Sequence, residues 1–352
     1  MWRLTSFAAC FLLVGMAPAC PPAGAAAPLD RLSEARQRAI AFLEKAQNPD
    51  GSFPAELCRP AEGQCRTSPT TVFTAAMVLC ALRGVEEPYA RAVFRKGTAF
   101  LEREEQSGGL WRFNSRGASV PALSPDSDDT ALASFLLAGT GQAVCNQDRF
   151  AGNRDEGGRF YTWFRNPGEN NDVDSVVNAN VLLYLGDGPT TGSACRWLVS
   201  LVREEKEADS FPYYVHATDL YYALARAYSH GAACLEGAMP ILRERIPALA
   251  GPDGSVGGNV QHTLLAALAL SYAGYRGPAL EAMRDFVIQW QMADGSLPAS
   301  FIFAGPAPPA PRTAFWRSAA VTTALAVELL SRRPAGEERE KGQTKSGRTI
   351  TR

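Results

Sequence analysis

Three scarcities narrow what this chain can be. Histidine occurs only 3 times and the 8 cysteines fall at no zinc-finger spacing, so no compact His/Cys metal module is encoded. Charge of one sign is lacking: 35 Lys and Arg against 36 Asp and Glu leave a net charge of −1, without the basic excess that nucleic acid demands. Long apolar runs are lacking too. The N-terminal one is roughly ten residues, and a bilayer takes about 20. What remains is a chain 46% hydrophobic, enough for a sizeable core in one large domain.

The N-terminus "MWRLTSFAACFLLVGMAPACPPAGAAAP" places Arg3 before the apolar stretch and small residues after it, the layout of a secretory signal peptide over 1–27. Cleavage is expected among Ala23–Ala27; cleavage before a lipid-modified Cys20 is the alternative, although Ala17 makes a poor lipobox. The protein is therefore expected to be secreted or periplasmic, open to a lipid anchor through Cys20. Export permits disulfides, and Cys58 with Cys65, in the polar loop "ELCRPAEGQC", is the expected pair; Cys80 reads as a core residue. The tail 334–352 is polar and expected to be disordered.

Between these ends, over 28–333, one pattern recurs six times. A helix charged on one face leads to a Gly-containing turn and then to a second helix that is almost wholly apolar. The turns lie at 47–54, 105–113, 154–164, 207–214, 250–259 and 291–298. The second helices are expected at 70–82, 127–139, 172–186, 217–229, 260–274 and 317–331. A helix apolar all round must be buried. Six such pairs close into an all-α (α/α)6 toroid, charged helices outside and apolar ones inside; an open solenoid would need polar capping repeats, which are lacking. The outer helix of the third repeat, within 141–154, is short and polar.

The turns "QNPDGSF" (47–53) and "QMADGSL" (291–297) resemble the Q-x-x-D-G-S-W turn of the terpene cyclase and protein prenyltransferase superfamily, with Phe53 and Leu297 in place of Trp. "DSDDTA" (126–131) is similar to the D-x-D-D-T-A motif of class II terpene cyclases such as squalene–hopene cyclases. The resemblance implies an α/α toroid in which Asp128 protonates an alkene or epoxide, flanked by Asp126 and Asp129. Complement-type thioester domains share the toroid, but no Cys-Gly-x-Gln occurs here.

In such a barrel every outer-to-inner turn lies at one end, so the inner-helix N-termini share one mouth, each adding partial positive charge and free N–H groups. That rim gathers Asp126, Asp128 and Asp129; Asp172 and Asp174; His216 and Asp219; His262; and Trp316 with Arg317. Aromatics expected beside them include Trp111, Trp163 and Tyr214. One Asp at one helix start is an N-cap, but three within four positions exceed what capping uses. Crowded carboxylates cannot all ionise, so a proton is retained; an imidazolium, with His262 the candidate, would sharpen its acidity. Asp172, Asp174, His216, Asp219 and the aromatics Trp111, Trp163, Tyr214 and Trp316 are the candidate substrate contacts. No cofactor is required, although the five aspartates also suit Ca²⁺ or Mg²⁺. No cysteine lies at the mouth, which disfavours zinc of the prenyltransferase kind. The readings are thus acid-initiated cyclisation of an isoprenoid by a monomer, a non-catalytic toroid binding a lipid, protein or glycan, and a carbohydrate-active barrel.

Overall fold

The structure, a computed structural model, describes residues 28–118, 120 and 123–332. The expected signal segment over 1–27, with Cys20, and the tail from 333 lie outside the described residues. Twelve helices follow as six outer–inner pairs: α1 (Pro28–Ala46) and α2 (Val72–Leu82), α3 (Pro88–Glu104) and α4 (Ser127–Gly139), α5 (Gln147–Gly152) and α6 (Ser175–Leu185), α7 (Gly192–Arg203) and α8 (Ala217–Ser229), α9 (Met239–Ala248) and α10 (Val260–Tyr272), α11 (Pro278–Gln289) and α12 (Ala319–Ser331). The inner helices α2, α4, α6, α8, α10 and α12 each pack on the next, and α12 packs back on α2. The ring is closed, an (α/α)6 toroid. No described helix is long and apolar enough to cross a membrane.

The turn residues explain the closure. Gln47 Nε2 donates to the carbonyls of Gly51 and of Val93 on α3, both at 3.0 Å. Gln291 Nε2 repeats this on Gly295 at 3.0 Å and on Ala35 of α1 at 2.8 Å. Each turn is thereby pinned to the neighbouring outer helix, and the second copy joins the last repeat to the first. Asp50 and Asp294 accept from the backbone N–H and hydroxyl of Ser52 and Ser296, tightening the turn. Gly295 sits at φ +90°, and a Cβ there would lie 2.2 Å from the Arg38 carbonyl oxygen, so only glycine fits. Phe53 and Leu297, buried to 1% and 2% exposure, plug the barrel.

The short polar outer helix of the third repeat is α5, six residues long. One feature was not expected: the first and last outer-to-inner turns are expanded into an antiparallel sheet. Its strands are β1 (Glu56–Arg59), β2 (Gln64–Thr67), β3 (Phe301–Gly305) and β4 (Ala314–Arg317), in the order β2-β1-β4-β3. Cys58 faces Cys65 across the β1–β2 pair and is bonded to it; Cys195 is bonded to Cys234, while Cys80 is free and buried. Trp316 and Arg317 therefore belong to a strand, and the sixth inner helix starts at Ala319 rather than at 317.

Candidate functional site

Backbone bonds to two neighbouring turns fix the start of α4. Asp126 N donates to Trp111 O at 3.0 Å and Ser127 N to Thr162 O at 2.7 Å. Asp126 Oδ1 then caps the helix by accepting from Asp129 N at 2.8 Å. The other oxygen of Asp126 and Oδ1 of Asp129 are buried without any hydrogen-bond partner. Asp126, Asp128 and Asp129 line one cavity, whose remaining wall is Phe73, Phe113, Thr162, Trp163, Val177, Tyr213 and Phe303. It measures about 20 Å³, room for one water.

Phe303 fills most of the mouth. Its ring stacks on Phe113 at 5.2 Å and on Tyr213 at 5.4 Å, and meets Trp316 edge-on at 5.4 Å. Phe303 is delivered by β3, so the sheet acts as a cover on the acidic rim.

Asp128 is held differently from its neighbours. Tyr214 Oη donates to Oδ2 at 2.5 Å and Asn180 Nδ2 donates to Oδ1 at 2.7 Å. Asn180 Oδ1 in turn accepts from Arg226 Nη2 at 2.7 Å, and Arg226 Nη1 donates to Tyr222 Oη at 3.2 Å. Tyr222 donates to Glu328 Oε2 at 2.8 Å, whose Oε1 accepts from Tyr272 at 2.5 Å. A buried column thus runs down the barrel from Asp128 through Asn180, Arg226 and Tyr222 to Glu328.

Burial dominates the electrostatics. It pushes the Asp126 carboxyl up to about 7, against the help of the Asp129 side chain and then of the Asp129 N–H. It raises Asp129 well above the carboxylate range, and repulsion from Asp126 and Asp128 adds to it. Asp128 is raised by burial too, while Tyr214, Asn180 and the Arg226 charge pull it back. His262 is not the imidazolium partner that acidity would want. Its ring stacks on His216 at 3.9 Å, and burial plus that neighbour lower it to about 4, so it is neutral at pH 7. The charge that reaches the acid cluster is Arg226.

The other rim residues divide. Trp163 lines the cavity and donates from Nε1 to Tyr213 Oη at 2.8 Å; Tyr213 donates to Asp172 Oδ2 at 2.8 Å. Asp174 accepts Val176 and Val177 N–H on Oδ1 and Tyr213 N–H on Oδ2. His216 and Asp219 form a capping box on α8, with Asp219 Oδ2 accepting His216 N at 2.9 Å. Trp111 is fully buried and donates to Leu101 O at 2.7 Å, away from the cavity. Among the described residues no group of three or more His, Cys, Asp or Glu side chains is arranged to hold a metal ion, so the five aspartates do not fit a shared Ca²⁺ or Mg²⁺. Arg226, Tyr222 and Glu328 went unnoticed in the sequence. Their signal was a charge inside the apolar run of each of two inner helices, "YYALARAYS" and "ALAVELLS".

No protein-family model and no curated protein matches the sequence. Solved structures do share its fold. A protein from Actinoplanes superposes with a TM-score of 0.66 at 16% identity, over 85% of this chain and 98% of that one. The type II terpene cyclase MstE from Scytonema is similar at a TM-score of 0.63 and 18% identity, over 86% of this chain and 98% of that one. MstE has also been solved with its substrate, geranylgeranyl dihydroxybenzoate. A possible GH105 member from Salmonella enterica matches at 0.55 and 15%, over 88% of this chain and 95% of that one. At such identities the likeness is one of fold, and the toroid alone does not choose among activities.

Proposed function

We propose that the mouth cavity receives an isoprenoid chain and that its aspartates start a class II type cyclisation by protonating an alkene. The observation that carries this reading is the pair of buried, unpartnered carboxylate oxygens of Asp126 and Asp129 in a cavity walled by Phe73, Phe113, Trp163, Tyr213 and Phe303. An alkene is a poor base, and its protonation calls for an acid denied solvent. Burial raises these carboxyl groups so that a proton is present at neutral pH. The aromatic faces would stabilise the carbocation that forms. The "DSDDTA" resemblance points the same way. A cavity with room for one water cannot hold a polyprenyl chain, so the β3–β4 hairpin has to lift Phe303 away for substrate to enter. The two disulfides suit an oxidising compartment, and the proposal therefore includes export.

The test is incubation with a geranylgeranyl-bearing phenol, geranylgeranyl diphosphate and squalene, analysed by mass spectrometry and NMR. Cyclised products of unchanged mass are expected from one of them. The closed mouth also favours a second reading, a toroid that binds an isoprenoid without turnover. Saturable binding with no product would select it, and absence of both would remove the isoprenoid altogether.

A further inference from the structure

We propose that the stacked rings of His216 and His262 form an acid-sensitive latch on the β3–β4 cover: neutral, they hold the mouth closed, and protonated, they release it. The latch rests on the isoprenoid reading only in needing the cover to move; no isoprenoid enters it.

The cover is tied to the barrel beside each of the two rings. Ala304 N on β3 donates to Tyr213 O at 2.8 Å. Arg312, in the loop between β3 and β4, donates from Nη2 to Phe211 O at 3.0 Å and to Pro212 O at 2.9 Å. These bonds land on the segment that runs into His216, the N-cap of α8. On the other side Gln261 Nε2 reaches Phe301 O at 3.5 Å, and Gln261 is the chain neighbour of His262. The segment before His216 also sends Tyr214 to Asp128 and Tyr213 to Asp172, so loosening it frees the acidic rim as well.

The cap fixes the proton on His216. Thr218 N–H can only donate, and it meets Nδ1 at 3.2 Å, so Nδ1 is bare and Nε2 carries the hydrogen. Protonation adds a hydrogen at Nδ1. That ends the cap and sets a positive charge on the positive end of α8. The His262 ring lies almost parallel to it, centroids 3.9 Å apart and planes 12° apart. Neutral rings stack in this way, and two imidazolium ions repel.

No counter-charge forms beside them. Asp219 faces the pair from α8 and gives Oδ2 to the N–H groups of His216 and Val215. Burial raises its carboxyl to about 7, so it takes up its own proton before the rings do. Tyr214 is held on Asp128, α10 presents His262 itself, and β3 brings the uncharged Phe301. Both rings are half-buried, and burial lowers both below their ordinary 6.5, His262 to about 4 with help from His216. Rings separated by opening bind protons more readily than stacked ones. The hold on the cover is therefore complete above about pH 6.5 and lost as pH falls towards 4.

The test is hydrogen exchange of the protein at pH 7 and pH 5, read by mass spectrometry and corrected for the intrinsic effect of pH. Protection of residues 299–317 should fall on the order of tenfold at pH 5, while α3 keeps its protection. His216→Asn keeps an N-cap that cannot be charged, and its cover should stay protected at pH 5. No loss in wild type, or the same loss in His216→Asn, overturns the latch. Nitrogen-15 NMR of wild-type protein labelled at its 3 histidines needs no variant to fold. His216 should show a bare Nδ1 at pH 7, and its protonation should track the loss of protection. A cover that opens while both rings stay neutral also overturns the latch. Neither arm measures turnover, so failure here leaves the isoprenoid reading standing, and absence of cyclised product leaves the latch standing.

Discussion

The helices α4 and α6 are both capped by an aspartate on the same rim, Asp126 and Asp174, and the two caps use their second oxygen in opposite ways. At α6, Asp174 commits both oxygens to backbone N–H groups, two on its own helix and one from Tyr213. At α4, Asp126 uses one oxygen as a cap and leaves the other without a partner, and Asp129 leaves one bare as well. Glu328, deep in the barrel, resembles Asp174, with a tyrosine hydroxyl on each oxygen. A buried carboxyl with every acceptor filled holds the fold together. One with a bare oxygen in a cavity works against the fold, and such groups belong to working sites.

The comparison can be broken in several places. The largest expected effect is at Arg226, which serves the Asp128 and Glu328 ends of the buried column. Arg226→Met should destabilise the protein by about 3–5 kcal/mol, read from urea denaturation, because it leaves buried charge uncompensated. Phe303→Ala should cost about 2 kcal/mol, since the ring is half-buried, and should let a small apolar probe into the mouth, seen by thermal shift. Asp174→Ala removes a cap and should cost about 1–2 kcal/mol.

The smallest effect is on pH dependence. Burial holds Asp126 at about 7, Asp174 at about 8 and Asp219 at about 7, above their unfolded values. Groups raised in the folded state bind protons more tightly than the unfolded chain does, so their contribution is complete below about pH 4 and lost as pH rises to about 8. The lowered His216 and His262 act oppositely, losing stability as pH falls from about 6.5 towards 4. The carboxyl groups outnumber the histidines, so Tm should fall between pH 5 and pH 8.5. Asp129→Asn should flatten that fall; a rising Tm would contradict the burial account.

The repeats were legible because burial all round writes an unbroken apolar helix into the sequence, as in 260–272, and because Gly turns mark each corner. The acidic start at 126–129 was legible for the same reason: three carboxylates stand where a cap needs one. The sheet was not. Its strands "FIFAG" and "AFWR" are short and separated by a proline-rich loop, too brief to show alternation, and the pairing of "AFWR" with 56–58 is set by the ring closing. Nor could the sequence tell Asp174 and Asp128 from Asp129, since the donors that fill the first two, Tyr213 on Asp174 and Asn180 and Tyr214 on Asp128, arrive from other repeats. His262 looked like a partner for the acid because it shares the rim; its ring instead faces His216.

The central claim is that a carboxyl proton held at this mouth is passed to an alkene. The direct measurement is turnover of a geranylgeranyl-bearing phenol in D₂O, with the position of label in the product read by NMR. The account predicts a cyclised product carrying a single deuterium at the carbon first protonated, lost in Asp128→Asn and retained in Asp174→Asn. A cyclised product without deuterium, or an Asp128→Asn variant as active as wild type, would contradict it.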